Sequence, residues 1–252
     1  MRHEEVSIQT RDGQCPTHIL APDEPGSRPA VLFFMDALAM RPTLIEMAGR
    51  LAEAGYLVLV PDMFYRFGPY APLDPREVLA GDFRATIGPM IATSNNALAA
   101  SDTQALLDYL DTRGDVAGPD VGTVGFCMGG RISLFVAGTV PGRIAAAASF
   151  HAGHLATDDP SSPHRLAAQI RGEIYVAGAD RDHGYPPEMA QRLDDALTQA
   201  GVAHRCEIYP GAAHGWMVPD FPVYDPIAAE QGWTELFALF ARNLTGNPIS
   251  VR

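Results

Sequence analysis

The chain is short of several things, and each shortage narrows what it can do. It has three cysteines in 252 residues, Cys15, Cys127 and Cys206, an odd number spread far apart. Such a set builds no disulfide framework and suits a reducing compartment. It has no basic run, and the formal net charge is −12, with the acidic residues distributed along the chain. Without a phosphate-neutralising patch, no nucleic-acid partner is expected. An anionic substrate would need a local arginine or lysine to overcome the general field. No stretch of the sequence approaches the ~18 consecutive apolar residues of a membrane span, so no membrane partner is expected. The opening "MRHEEVSIQT" is charged and lacks the apolar centre of a secretory signal, and a cytoplasmic location is expected. Internal repeats and low-complexity tracts are missing as well.

What is present is the composition of an ordinary globular protein, 47% hydrophobic and 19% charged. At this length roughly three quarters of the unfolded surface can be buried, so a large core needs no covalent staples. Strand-like and helix-like segments alternate, the mark of an α/β protein with a mostly parallel sheet. "EVSIQT" and "QCPTHILAP", joined at Asp12-Gly13, predict an opening antiparallel hairpin. "AVLFFMD" and "YLVLVPD" are continuous apolar runs, as in strands covered on both faces. Between them the spacing of Leu44, Met47, Ala48 and Leu51 predicts a helix from Pro42 to Ala54. Residues 63–100 are less regular and hold Pro69, Pro72, Pro75 and Pro89. They read as an excursion, either a lid or pocket wall or a plain surface insertion. Further helices are expected over 102–112 and 187–200, and strands at "VGTVGF", "IAAAASFH", "EIYVAGAD" and "RCEIYPGAAH". The C-terminal stripe of Trp233, Leu236, Phe237 and Phe240 reads as core packing. The expected organisation is one domain over 1–252.

Chemistry gathers at "VGTVGFCMGGRISLF". Gly125-Phe126-Cys127-Met128-Gly129 has the G-x-nucleophile-x-G form of a nucleophile elbow. A sharp strand-to-helix turn forces the central residue into a strained backbone, and side chains two positions either side would collide with neighbouring elements. The sulfur then sits above the sheet at a helix N-terminus, where the dipole favours thiolate. The amide of Met128 is placed to donate to an oxyanion. A buried cysteine in a tightly packed turn is the alternative. An elbow nucleophile needs a base and an orienting carboxylate, in the order nucleophile, acid, histidine. Asp180 ends "EIYVAGAD" and His214 follows "YPGAA", both at expected strand ends, on the edge where open α/β sheets bind ligands. Asp182 is the rival acid, and Asp180 is preferred as nearer the strand end. His151 and His154 in "FHAGHL" also follow a strand and could line the pocket, but no spacing supplies them with metal-ligand partners. No metal is expected.

"GFCMGG", "AGADRDH" and "YPGAAHGW" in that order, with "PAVLFFMD" and "YLVLVPDMFYR" upstream, identify a resemblance to the dienelactone hydrolase family of the α/β-hydrolase fold, from about Val6 to Leu244. The resemblance implies a Cys127-His214-Asp180 triad that hydrolyses a lactone or related ester through an acyl-thioester, without a cofactor. It also implies that Asp36, where the family usually has Glu, modulates the nucleophile, and that the amide of Ala37 is the second oxyanion donor. Asp36 could instead cap a helix before Arg41-Pro42. Relatives hold a substrate carboxylate with two arginines. Arg84 or Arg76 would serve for the first, whereas "GWMVPDF" after His214 offers none, so the clamp is incomplete. Trp216, Phe67, Tyr70 and Phe83 are candidates for an aromatic wall. The expected partner is thus a small-molecule ester or lactone. A broad esterase or thioesterase, or a non-hydrolytic binding protein on the same fold, are the competing functions.

Overall fold

Strands β1 (Arg2–Thr10) and β2 (Gly13–Ala21) form the expected hairpin in the computed structural model, which describes residues 1–244. Thr10 pairs with Gly13 across the Arg11-Asp12 turn. Residues 245–252 of the expected domain lie outside the described part. Six more strands follow, namely β3 (Arg28–Phe34), β4 (Leu57–Pro61), β5 (Val116–Phe126), β6 (Ile144–Phe150), β7 (Glu173–Arg181) and β8 (His204–Ala213). They make one sheet in the order β1-β2-β4-β3-β5-β6-β7-β8. β2 runs antiparallel to β4, and every neighbouring pair from β4 to β8 is parallel. All five residues of β4 are buried, as a strand covered on both faces requires.

The described residues form seven α-helices, α1 (Pro42–Glu53), α2 (Pro75–Ala80), α3 (Phe83–Ile91), α4 (Asn96–Asp111), α5 (Met128–Thr139), α6 (Pro187–Gln199) and α7 (Pro226–Asn243). α1 buries Leu44, Met47, Ala48 and Leu51, the face its spacing predicts, and starts with Pro42 in its first turn. α4 begins six residues before the expected 102, because the Asn95 side chain caps it by accepting from the Leu98 amide at 2.9 Å. α7 buries Trp233, Leu236 and Phe240 in the core, as its apolar stripe predicts.

The proline-rich excursion is a short turn at Tyr65–Phe67 followed by α2 and α3, whose N-termini are capped by Asp74 and Asp82. Arg66 ties it to the body. Its guanidinium lies 2.7 Å from both Asp12 Oδ2 and the buried Asp102 Oδ1. The C-terminal ends of β3, β5, β6, β7 and β8 share one edge of the sheet, which is where ligands bind in parallel α/β folds.

Candidate active site

Cys127 stands between β5 and α5 with φ 53° and ψ −114°, a strained conformation for a residue with a side chain. The glycines around it answer to contact rather than to flexibility. A Cβ on Gly125 would overlap the Gly129 carbonyl and lie 2.6 Å from the Gly130 nitrogen. A Cβ on Gly129 would overlap the Phe34 carbonyl and sit 2.6 Å from that of Met35. The first turn of α5 is therefore pressed against both β5 and the end of β3. Strain is not confined to the cysteine. Among the described residues, the non-glycine ones with positive φ are Ala39, Cys127, His151 and His154, and all four follow the ends of β3, β5 and β6. Such outliers cluster where a surrounding structure fixes a functional geometry.

His214, on the turn after β8, lies with Nδ1 2.6 Å from Asp182 Oδ2. A carboxylate only accepts, so Nδ1 carries the proton and Nε2 is the ring atom not engaged by Asp182. Burial opposes a charge on His214, yet its hydrogen bond with Asp182 and the neighbouring Cys127 sulfur outweigh that and lift the imidazole to about 10. Burial likewise pushes Asp182 up, but His214 and the Gly184 amide more than reverse it, and the carboxyl ends below its ordinary range.

Asp180, the acid expected from its position, does not face His214. Its Oδ2 accepts from the Gly211 amide at 2.8 Å on the exposed side of the sheet. The reason is that β7 runs on to Arg181, with a register irregularity between Ala179 and Arg181. Asp182 is the first residue past the strand. There it turns back toward the site, with Oδ1 accepting from Gly184 at 2.8 Å.

Asp36 also departs from both expectations. It is fully buried, Leu38 donates to its Oδ1 at 2.8 Å, and Arg41 grips both oxygens at 2.9 and 2.8 Å. Among the described residues it makes no hydrogen bond to Cys127, and it does not cap α1, whose preceding residue is Arg41. Arg41 in turn binds Asp220 through Nε at 2.6 Å and Nη2 at 3.0 Å. Asp36 thus fixes the loop that carries Ala37 rather than touching the sulfur.

Cys127 opens into a cavity of about 280 Å³ that is also lined by Ala37, Met128, Asp182 and His214, so both residues expected to supply oxyanion donors border the same space. Phe83 and Ile91 of α3, Arg131, Gly153, His154 and Gly184 complete the wall. The excursion therefore supplies part of the pocket wall.

A family model described as the Dienelactone hydrolase family matches residues 16–244. The chain belongs to the dienelactone hydrolase family. A Synechocystis protein provisionally named a carboxymethylenebutenolidase is 26% identical over 95% of this chain and 96% of its own length. A crystal structure provisionally named a dienelactone hydrolase, from Klebsiella pneumoniae, superposes with a TM-score of 0.84 at 22% identity, covering 96% of this chain and 98% of that one. A dienelactone hydrolase-like promiscuous phosphotriesterase from metagenomic libraries gives a TM-score of 0.79 at 24% identity, over 97% of this chain and 99% of its own. The sheet order and these superpositions make the fold that of an α/β-hydrolase.

Several side chains expected to bind substrate in a dienelactone hydrolase are elsewhere here. Arg84 is exposed on α3 and Phe67 is exposed on its turn, and neither lines the Cys127 cavity. Arg76, on α2, is exposed and absent from that wall too. Tyr70 faces a separate cavity with Asp62 and donates its hydroxyl to that carboxylate at 2.6 Å. Trp216 is fully buried and stacks on Tyr209 with ring centroids 4.3 Å apart. His151 is fully buried as well, edge-to-face with His214 at 5.5 Å, and burial together with the His214 charge holds it well below 6.5. It packs as a neutral ring against His214 and is not part of the cavity wall.

Arg131 is the residue the sequence reading missed. It lies in the first turn of α5, four positions after Cys127, and lines the same cavity, a spacing that marks it in the sequence. Among the described residues it forms no salt bridge, and its Nε is buried without a hydrogen-bond partner. Burial presses its charge down, and Cys127 and Asp159 only partly oppose this.

Proposed function

We propose that this hydrolase cleaves activated esters or lactones with Cys127 as nucleophile, His214 as base and Asp182 as the residue that orients it. The observation that carries the reading is the His214 Nδ1 to Asp182 Oδ2 hydrogen bond of 2.6 Å beside a cysteine held in elbow geometry. A histidine lifted to about 10 carries its proton at neutral pH, which supports a resting thiolate–imidazolium pair. The thiolate attacks the carbonyl and a carbon–sulfur bond forms. The amides of Met128 and Ala37 take up the negative charge on oxygen, and losing one such donor costs on the order of 3–4 kcal/mol. As the carbon–oxygen bond breaks, the imidazolium gives its proton to the leaving oxygen. Neutral His214 then takes a proton from water, the hydroxide attacks the thioester, and the thiolate leaves to restore the pair.

A cysteine suits substrates with good leaving groups, such as an enol or aryl oxide. The cavity, at about 280 Å³, is at the small end for ligand pockets and favours a small acyl group. Phe83, Ile91 and Met128 give it an apolar wall, and the unpaired Arg131 favours a substrate with an anionic substituent. A broad esterase or thioesterase would use the same catalytic residues, and it is Arg131 that favours the narrower choice. The test is Cys127→Ala against the wild type on an aryl ester and an enol-lactone. Loss of turnover on both is expected, and retained turnover on either would overturn the assignment.

A further inference from the structure

We propose that Asp194, His204 and Cys206 form a binding site for a zinc-class divalent cation, at the sheet edge and separate from Cys127. His204 and Cys206 alternate along β8, the last strand of the sheet, so both project from the same face. That face meets α6, which carries Asp194. The ligand atoms of the three side chains lie within 4.8 Å of one another, and all three residues are half-buried. Zinc bond lengths to N, O and S place tetrahedral ligands about 3.4–3.6 Å apart, so a modest inward shift completes the site.

The hydrogen bonding already orients the ring as a metal ligand. His204 Nδ1 lies 2.8 Å from the Val202 carbonyl, which can only accept, so Nδ1 carries the proton. This is the outer partner that fixes the tautomer of a metal-binding histidine. Nε2 then points at Asp194 Oδ1, 3.2 Å away. In the neutral ring both atoms present lone pairs, and a cation must lie between them. A proton can do this for the one pair, whereas a metal ion does it for the pair and the neighbouring sulfur together. A donor set of one thiolate, one imidazole and one carboxylate suits Zn²⁺ and Co²⁺ better than Mg²⁺ or Ca²⁺. When the sulfur–metal bond forms, the Cys206 proton leaves to solvent.

Asp194 and Cys206 also border a cavity of about 430 Å³, which gives the ion an entry path and leaves room for a fourth ligand such as water. Asp182 borders the same cavity, so the ion would clamp α6 to the strand leading to His214, next to the acid that orients it. The other group of possible ligands, His3, Glu5 and His18, is a poorer site. His3 and Glu5 are exposed on the hairpin, and His3 Nε2 is already bonded to His18 Nδ1 at 3.0 Å.

The experiment is titration of the chelator-treated full chain with Co²⁺, read by absorbance. One equivalent should produce a sulfur-to-cobalt charge-transfer band with the strong visible bands of a tetrahedral site, and Zn²⁺ should displace it. Zn²⁺ should also raise the melting midpoint in a concentration-dependent way. Cys206→Ser should lose the charge-transfer band while Cys127→Ala keeps it. Asp194→Asn, a change on a partly exposed helix face, should weaken Zn²⁺ binding by about tenfold or more. The proposal is overturned if the wild type shows no such band, if Cys206→Ser retains it, or if Cys127→Ala abolishes it.

Discussion

His214 hydrogen-bonds Asp182 at 2.6 Å, while Asp180, two residues earlier, spends its carboxylate on the Gly211 amide. The two acids make opposite claims on activity. Asp182→Asn should present a donor to Nδ1, favour the wrong tautomer and lower kcat by about 10²–10⁴-fold. Asp180→Asn should leave kcat within about twofold. Steady-state kinetics on an aryl ester separates them, and equal losses would show that the acid has been misassigned.

The difference between these acids marks where the sequence stopped being legible. The glycine-framed turn at Cys127, the hairpin and the parallel strands could all be read, because each is a local pattern of glycines, apolar runs and turn residues. The end of β7 could not. Its hydrogen bonding to β8 continues through an irregularity to Arg181, which no local residue pattern in β7 announces. Asp36 was misread for a similar reason. Its partner Arg41 is nearby in sequence, but the Asp220 that completes the network is 179 positions from Arg41. Trp216 looked like a pocket wall because an aromatic side chain beside His214 is ambiguous until its stacking on Tyr209 is seen. Arg131 was legible from its four-residue spacing to Cys127 and was overlooked.

The charge on His214 carries a stability consequence of definite sign. Its folded value, about 10, is above the ordinary 6.5, so its stabilising contribution is fully present below pH 6.5. That contribution is lost as pH rises from there through about 10. Cys127 is one of the groups that raise it, so in Cys127→Ala the His214 midpoint should fall. Ring-proton or ring-nitrogen NMR of His214 over pH 5–11 reads this directly (a sampling range set by the ordinary histidine value and the raised one). A wild-type midpoint near 6.5, unmoved by the substitution, would contradict the ion pair.

Arg41 and Asp36 are both buried, so each depends on the other. Arg41→Met leaves an uncompensated buried carboxylate and should cost about 3–5 kcal/mol in denaturant unfolding. It should also lower kcat, because the loop it anchors carries the Ala37 amide. Asp36→Leu combined with Arg41→Met removes both charges and should recover much of the lost stability. A double variant as unstable as the sum of the singles would show that the pair is not the relevant unit.

Gly129 is packed and Gly142 is open, so substitution should act in opposite directions. Alanine at Gly129 would drive a methyl into the Phe34 carbonyl and should destabilise by about 3 kcal/mol or more. Alanine at the exposed turn residue Gly142 meets nothing within 4 Å and should stabilise by about 0.4–1 kcal/mol through the unfolded chain. Thermal unfolding of the two variants checks both signs.

Arg131 makes a substrate prediction. Replacing it with Met should raise KM for esters with a carboxylate on the acyl group by about 10–100-fold, the value of a charge-assisted hydrogen bond, and leave neutral esters little changed. Equal effects on both classes would point to packing instead.

The central claim is that Cys127 becomes acylated during turnover. Rapid acid quench of the wild type with an activated aryl ester, followed by peptide mass spectrometry, tests it most directly. The expected result is the acyl mass on the peptide containing Cys127, absent from Cys127→Ala and accumulating in Asp182→Asn if deacylation slows. Steady turnover with no adduct on Cys127 at any quench time, together with an active Cys127→Ala, would contradict it.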